Sequence, residues 1–229
     1  HRGGAEADIE IKISMLPTLY PTGAEKVLIN KLTGRVVPME GLPADIGVIV
    51  QNVTTIAFIA NYLKTGLPLI RRVITLDGSA IAHPGNYDVP VGAHIEDVIK
   101  AAGGTITKPG KIIMGGPMMG KAIDELTRPI LLHNNAILAL SEEDAILPKE
   151  IACILCGECV RACPMILQPT SLDKTARRLD VDTLEKEYVL NCIECGCCSY
   201  VCPSKRYLVQ NIIIGKGLVR AAQKKGEVD

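Results

Sequence analysis

The sequence predicts an α+β chain built of three consecutive pieces, on three observations. All nine cysteines follow residue 152, and eight of them write Cys-x2-Cys-x2-Cys-x3-Cys-Pro twice, in "CILCGECVRACP" and "CIECGCCSYVCP". Residues 68–114 run strand, strand, helix, strand, which fits a small β-grasp module. Ahead of them, turns rich in glycine and proline lead into two helical patterns with a short apolar run between, as in an α/β fold. Composition changes near Gly66–Pro68 and again near Leu126–Ala139, so the pieces divide as residues 1–66, 67–135 and 136–229.

In the first piece, Ile9, Ile11 and Ile13 alternate as in a strand. "LPTLYPTGAEKVLINKLTGR" then predicts a strand, a turn at Pro21–Gly23 and an amphipathic helix from about Ala24 to Leu32. "GLPADIGVIVQNVTTIAFIANYLKTG" predicts a loop, a buried strand and a second helix, with Gln51, Asn52, Thr54 and Thr55 at the junction. Open α/β folds bind ligands at such junctions, where amide side chains and unpaired helix N–H groups converge. The plainer reading is an N-cap, with Asn52 or Thr54 satisfying the helix backbone.

In the middle piece "LIRRVITL" reads as a strand, "DG" as a turn and "SAIAHPGNYDVP" as a second strand. "HIEDVIKAAGG" is a short helix closed by glycines, and "KIIM" a further strand. No nucleophile, base and orienter come together here. His83 and His94 stand alone and read as surface or capping residues. "GGPMMG" lacks the Lys-Ser/Thr of a phosphate loop and reads as a tight turn, with Met118 and Met119 packing against a neighbouring domain.

The third piece carries the chemistry. Its cysteines have the spacing of a bacterial two-cluster ferredoxin: three thiolates curl round one cubane, and the fourth leads away to the other. The predicted ligand sets are therefore crossed, Cys153, Cys156 and Cys159 with Cys202, and Cys192, Cys195 and Cys198 with Cys163. Pro164 and Pro203 suit the turn after the fourth ligand, and Gly157 and Gly196 let backbone pass close to an inorganic sulfide. Paired Cys-x2-Cys also holds zinc, but zinc needs neither the third cysteine nor the Cys-Pro. Cys197 is surplus, either a small buried residue or a substitute ligand or redox thiol. Between the motifs "MILQPTSLDKTARRLDVDTLEKEYVLN" is helical, and after them comes a short helix with a basic tail, Lys216, Arg220, Lys224 and Lys225. Such a tail is a solvated face, or a docking surface for a partner or an anionic lipid.

The totals narrow the function. Lys plus Arg and Asp plus Glu both number 25, so the net charge is zero. With no Trp, one Phe and six Tyr, the chain lacks the basic stripe and stacking aromatics of a nucleic-acid binder. No segment reaches the roughly 18 uninterrupted apolar residues of a membrane helix. Residues 46–63 come nearest and are broken by Gln51, Asn52, Thr54, Thr55 and Asn61. The start has no signal-peptide layout, so the cysteines read as metal or redox groups before disulfides.

"YPTGAEKVLI", "GLPADIGVIVQNV", "PLIRRVIT", "IMGGPMMG" and the two cysteine sets, in this order, closely resemble the peripheral C-subunit family, RnfC, of the bacterial Rnf ferredoxin:NAD+ oxidoreductases. The likeness covers about residues 9–218. A microcompartment cobalamin reductase shares the architecture and looks less close at "GLPADIGVIVQNV". The resemblance implies that the first piece is the later part of a flavin- and NADH-binding domain related to respiratory complex I. It implies that the middle piece is an SLBB-like β-grasp module, and that the protein works on the cytoplasmic face of the inner membrane, held by other Rnf subunits. "YPTGAE" resembles the "YICGEE" stretch of that relative, which makes Tyr20, Gly23 and Glu25 candidates for the flavin and nicotinamide side, although Ala24 replaces an acidic residue. "VQNVTT" resembles "VNNVET" and places Gln51, Asn52 and Thr55 near the flavin, with Thr54 departing from Glu.

The family's flavin loop, of the "GRGGAGFP" kind, is missing. "HRGGAEAD" echoes its first residues, but Glu6 and Asp8 stand where Phe-Pro is expected, and it lies only a dozen residues before Tyr20. It reads as chance or as a junction. The expectation is a truncated subunit that keeps two [4Fe–4S] clusters and binds FMN and NAD(H) weakly or not at all. The function implied is electron relay between a flavin/NAD(H) site and partner subunits, against the alternative of a stand-alone ferredoxin-like carrier.

Overall fold

The structure, a computed structural model, describes residues 10–226, so the "HRGGAEAD" likeness lies outside the described residues. These fall into two compact units that meet in the sequence between Val50 and Gln51. The sequence reading placed its first boundary at residue 66; the second helix instead groups with the residues C-terminal to it.

The first unit contains helix α1 (Glu25–Thr33) and a single 3-10 turn at Pro43–Ile46. The turn predicted at Pro21–Gly23 is present, and α1 stops at Gly34, whose left-handed φ of 69° closes the last turn. Ile29, Val37 and Thr22 are buried, and the Lys31 ammonium donates to the Thr22 hydroxyl at 2.9 Å. The strands predicted here do not form. Ile11, Ile13 and Met15 are almost wholly exposed, and Val48–Val50 is irregular, with Ile49 exposed. A strand needs a neighbour to take its N–H and C=O groups. Among the described residues these segments have none.

The second unit opens with α2 (Val53–Thr65), which Asn52 caps and Gly66 ends. None of its side chains is buried, and Val53, Ile56, Ile59 and Leu63 are exposed. A five-stranded sheet comes next: β1 (Arg71–Asp77), β2 (Gly85–Pro90), β3 (Pro109–Met114), β4 (Lys121–Ile123) and β5 (Ala136–Ser141), in the order β2-β1-β5-β3-β4. Only β1 and β5 run parallel; the other neighbours are antiparallel. Helix α3 (Ile95–Ala101) crosses the sheet, burying Ile95, Val98 and Ile99 at helical spacing against Ile74, Leu76, Ile112 and Ile137. Gly78 is required in the turn after β1: its φ is 117°, and a Cβ would lie 2.3 Å from the Ala139 carbonyl oxygen. The β-grasp reading therefore gains two strands, β4 and β5. β5, its central member, lies just past residue 135, where the sequence reading ended the module. Chain order hides it, because β5 is inserted between β1 and β3 only in space.

The remainder is helical: α4 (Glu158–Arg161), α5 (Pro169–Arg177), α6 (Val181–Lys186), a 3-10 turn at Val189–Asn191, α7 (Cys197–Tyr200) and α8 (Leu208–Gly226). Leu172, Leu184, Val189, Leu208, Ile212 and Val219 form its core together with Cys159, Cys198 and Cys202. The final helix is longer than the short one expected, and Lys216, read as part of a solvated tail, is buried. His94 occupies the N-cap position of α3 without a side-chain cap bond, and His83 is exposed.

Candidate metal centres

The two cysteine motifs trace the same backbone path twice, 39 residues apart. Left-handed residues recur at matching places: Leu155 and Glu194 at φ 58° and 59°, Gly157 and Gly196 at 76° and 78°, Ile166 and Lys205 at 56° and 50°. Such angles are uncommon outside glycine, so three matched pairs mark one loop design used in duplicate. The design turns backbone N–H groups towards sulfur. Leu155 N–H points at Cys153 Sγ, Glu194 N–H at Cys192 Sγ and Leu167 N–H at Cys163 Sγ, each at 3.4 Å. Gly157 and Gly196 start the single-turn helices α4 and α7, which carry Cys159 and Cys198 into the core.

Residues of the two motifs lie against one another in two places. Cys163, from the first motif, lines a cavity with Cys192, Cys195, Cys197 and Cys198 of the second, closed by Leu167, Val209 and Ile212. On the other side, Cys202 of the second motif and Cys153 both act electrostatically on Cys159. Cys156 is exposed, whereas Cys159, Cys195, Cys198 and Cys202 are buried.

Burial dominates the thiols' acid–base behaviour. It raises the pKa of Cys159 and Cys192 and pushes Cys198 up to about 12, with the neighbouring Cys192 sulfur adding to the effect on Cys198. At Cys192 the Glu194 N–H and the positive charge of Lys216 oppose it. Cys197 is also pushed up to about 12, first by burial and then by a hydrogen bond with Cys195. Loading metal must displace these protons, because the thiolate is the ligand.

Two all-cysteine groups suit iron and sulfur. The thiols of the second motif, with Cys163, line a cavity. Among the described residues no three His, Cys, Asp or Glu side chains approach closely enough for one ion. A single tetrahedral zinc would draw four sulfurs to about 2.3 Å from one centre. A cluster several ångströms across leaves its thiolates apart, among apolar walls and inward N–H groups of this kind. The residues present fit such a group.

The residues proposed for a flavin lie in both units. Tyr20, Gly23 and Glu25 are exposed in the first. Gln51, Asn52 and Thr55 are exposed at the start of the second, where Asn52 Oδ1 accepts from the Thr54 N–H at 2.9 Å and the Thr54 hydroxyl at 2.8 Å. Asn52 is thus the N-cap of α2. Met118 packs on the cysteine loop as expected, its carbonyl so close to Gly196 that a Cβ there would lie at 3.0 Å; Met119 is exposed instead. Sequence reasoning missed the pair of buried Lys216 and partly exposed Glu194, in which Lys216 Nζ also donates to the Cys192 carbonyl at 2.7 Å. It also missed Asp173, buried beneath Arg177, Arg206 and Asn211. A charge flanked by glycines inside the apolar run "IIIGKGLV" was the available signal for Lys216.

Comparison with known proteins agrees with this order of parts. Family models match in sequence: a Nuo51 FMN-binding domain over residues 2–61, an SLBB domain over 73–122 and a 4Fe-4S dicluster domain over 145–203. The chain is 46% identical over 217 residues to the C subunit of the proton-translocating ferredoxin:NAD(+) oxidoreductase complex of Clostridium ljungdahlii, covering 94% of this chain and 48% of that protein. It is 43% identical to the Na(+)-translocating counterpart of Acetobacterium woodii, covering 96% of this chain and 49% of that protein. It is 37% identical to the C subunit of the ion-translocating oxidoreductase complex of Rhodobacter capsulatus, covering 93% and 41%. The chain thus spans about half the length of these curated relatives. A crystal structure of an NAD+-reducing [NiFe]-hydrogenase in the H2-reduced state shares the fold at 16% identity and a TM-score of 0.51, covering 86% of this chain and 40% of that one. Over the residues matched, the chain belongs to the C-subunit family of the ion-translocating ferredoxin:NAD(+) oxidoreductase complexes.

Proposed function

We propose that the chain is an electron-relay segment of such a complex. It holds one [4Fe–4S] cluster on Cys153, Cys156, Cys159 and Cys202, and a second on Cys192, Cys195, Cys198 and Cys163. The observation that carries this reading is the cavity that joins Cys163 to the second motif's three cysteines. Each cluster, when bound, supplies a one-electron relay point. The chain's own part is to hold eight thiolates in two groups, aim N–H groups at sulfur and exclude water with Leu167, Val209 and Ile212.

Electrons pass between these clusters, an FMN/NAD(H) site in the complete subunit and the other members of the complex. The FMN-binding match over residues 2–61 and the relatives' names support that part. In this reading the chain sits at the cytoplasmic face of the inner membrane, held through partners. Among the described residues no helix is long and apolar enough to cross a membrane. The residues that face the flavin in this reading are Tyr20, Gly23, Glu25, Gln51, Asn52 and Thr55.

Iron and acid-labile sulfide in anaerobically reconstituted chain test the cluster reading. About eight irons per chain are expected. Cys163→Ala should perturb the centre of the second motif, and Cys202→Ala that of the first, each leaving the other centre's EPR signal intact. Colourless protein containing zinc, or each variant perturbing its own motif's centre, overturns the assignment. A second reading, a carrier and docking module without its own flavin, is favoured by Asn52, whose side-chain oxygen is already engaged in capping α2. Adding FMN and NADH separates the two. Flavin binding with bleaching of the iron–sulfur absorbance supports the first; bleaching by dithionite alone supports the second.

A further inference from the structure

Lys216 is the one lysine named among the buried residues, and it is held beside a cysteine of the second motif. Its side chain is 7% exposed; its ammonium donates to the Cys192 carbonyl at 2.7 Å and pairs with the Glu194 carboxylate. Glu194 sits between Cys192 and Cys195 in a left-handed conformation that directs it towards α8. Gly215 allows the approach: a Cβ there would lie 3.1 Å from Leu184 and 3.3 Å from Ala176, so α8 lies close on α5 and α6.

The first motif lacks an equivalent. The positions 39 residues earlier are Leu155, which is exposed, and Arg177, which pairs with Glu150 and Asp173. Arg161 donates to the Cys156 carbonyl at 3.2 Å, but its side chain is 63% exposed and paired with Glu158. Water screens Arg161; it screens Lys216 far less. Because Glu194 is 35% exposed, its charge is better solvated than that of the lysine and offsets it incompletely.

We propose that Lys216 raises the electron affinity of the centre ringed by Cys192, Cys195, Cys198 and Cys163, and that Glu194 moderates this, so that the two centres hold different potentials. The proposal rests on the two-cluster reading above. Physically, an added electron makes a thiolate-bound centre more negative, and a desolvated cation alongside stabilises that state. Lys216 acts through its charge and its grip on the Cys192 loop, and is a positioning residue.

The test is an EPR-monitored dithionite titration of the anaerobically reconstituted full chain, after iron and sulfide are counted. A count well below about eight irons in the unaltered chain fails the two-cluster reading and leaves the Lys216 question distinct from it. With full iron, Lys216→Met should shift one of the two one-electron transitions to lower potential and leave the other in place. Glu194→Gln should shift the same transition upward, Lys216→Arg should stay near the unaltered chain, and the Met/Gln double variant should return partway. Both transitions moving together, or neither moving in variants with full iron, overturns the proposal. If Lys216→Met does not load, Glu194→Gln decides alone: an upward shift of a single transition supports the proposal and an unchanged potential defeats it.

Discussion

Asn52 commits its side-chain oxygen to the first turn of α2, accepting from both the amide and the hydroxyl of Thr54. Asn52→Ala should therefore weaken that helix end by about 1 kcal/mol, and Asn52→Asp should not. Amide exchange at Thr54 is the measurement: faster in the alanine variant, little changed in the aspartate one. The sequence already allowed the cap, since an Asn directly before an apolar helical run is a start signal. It also allowed the eight cysteines proposed as ligands, because the spacing of thiolates on a loop is a local property. Lys216 was not legible in the same way. Its neighbours Arg220, Lys224 and Lys225 follow it on α8, and only the packing at Gly215 shows that Lys216 alone turns inward.

At the scale of elements, helices were read more faithfully than strands. α1 and α2 end on left-handed glycines, α2 is capped by Asn52 and α3 buries one apolar face, so each is specified within about a dozen residues. The expected strands near Ile11 and at Val48–Val50 are irregular because pairing is not a local property. α6 shows how a short helix depends on its cap. Asp180 accepts from the Thr183 N–H at 3.1 Å, and hydrogen bonds from Thr183 hold its carboxyl below the ordinary 3.8. A lowered folded-state pKa contributes stability that is present above the unfolded value and is lost as pH falls through the folded one. α6 should thus fray at its start only below about pH 4. The Thr183 amide shift, followed by NMR through that range, should report the loss. Asp180→Asn keeps the acceptor and should abolish the pH dependence.

At the scale of the molecule, the duplicated cysteine region is tied together by Asp173, which is 1% exposed. On α5, it accepts from Arg177 at 3.0 Å, from Asn211 of α8 at 2.6 Å, and from Arg206, just after the second motif. Glu150, ahead of the first motif, shares both arginines. Asp173→Asn, nearly isosteric, removes the buried charge that Arg177 and Arg206 share and should cost about 3 kcal/mol in urea unfolding of the reconstituted chain. A loss under about 1 kcal/mol would show that the network is screened by water. By itself, the sequence determined the chemistry: eight cysteines at ligand spacing, glycines where the loops turn left-handed, and the order of three family-like pieces. Those are short-range facts of residue type and separation. Only the tertiary structure decided that β5 enters between β1 and β3 and that Lys216 is buried beside Cys192. Each of these joins residues at least 22 positions apart, and such contacts are set by packing across the core, which no local pattern encodes.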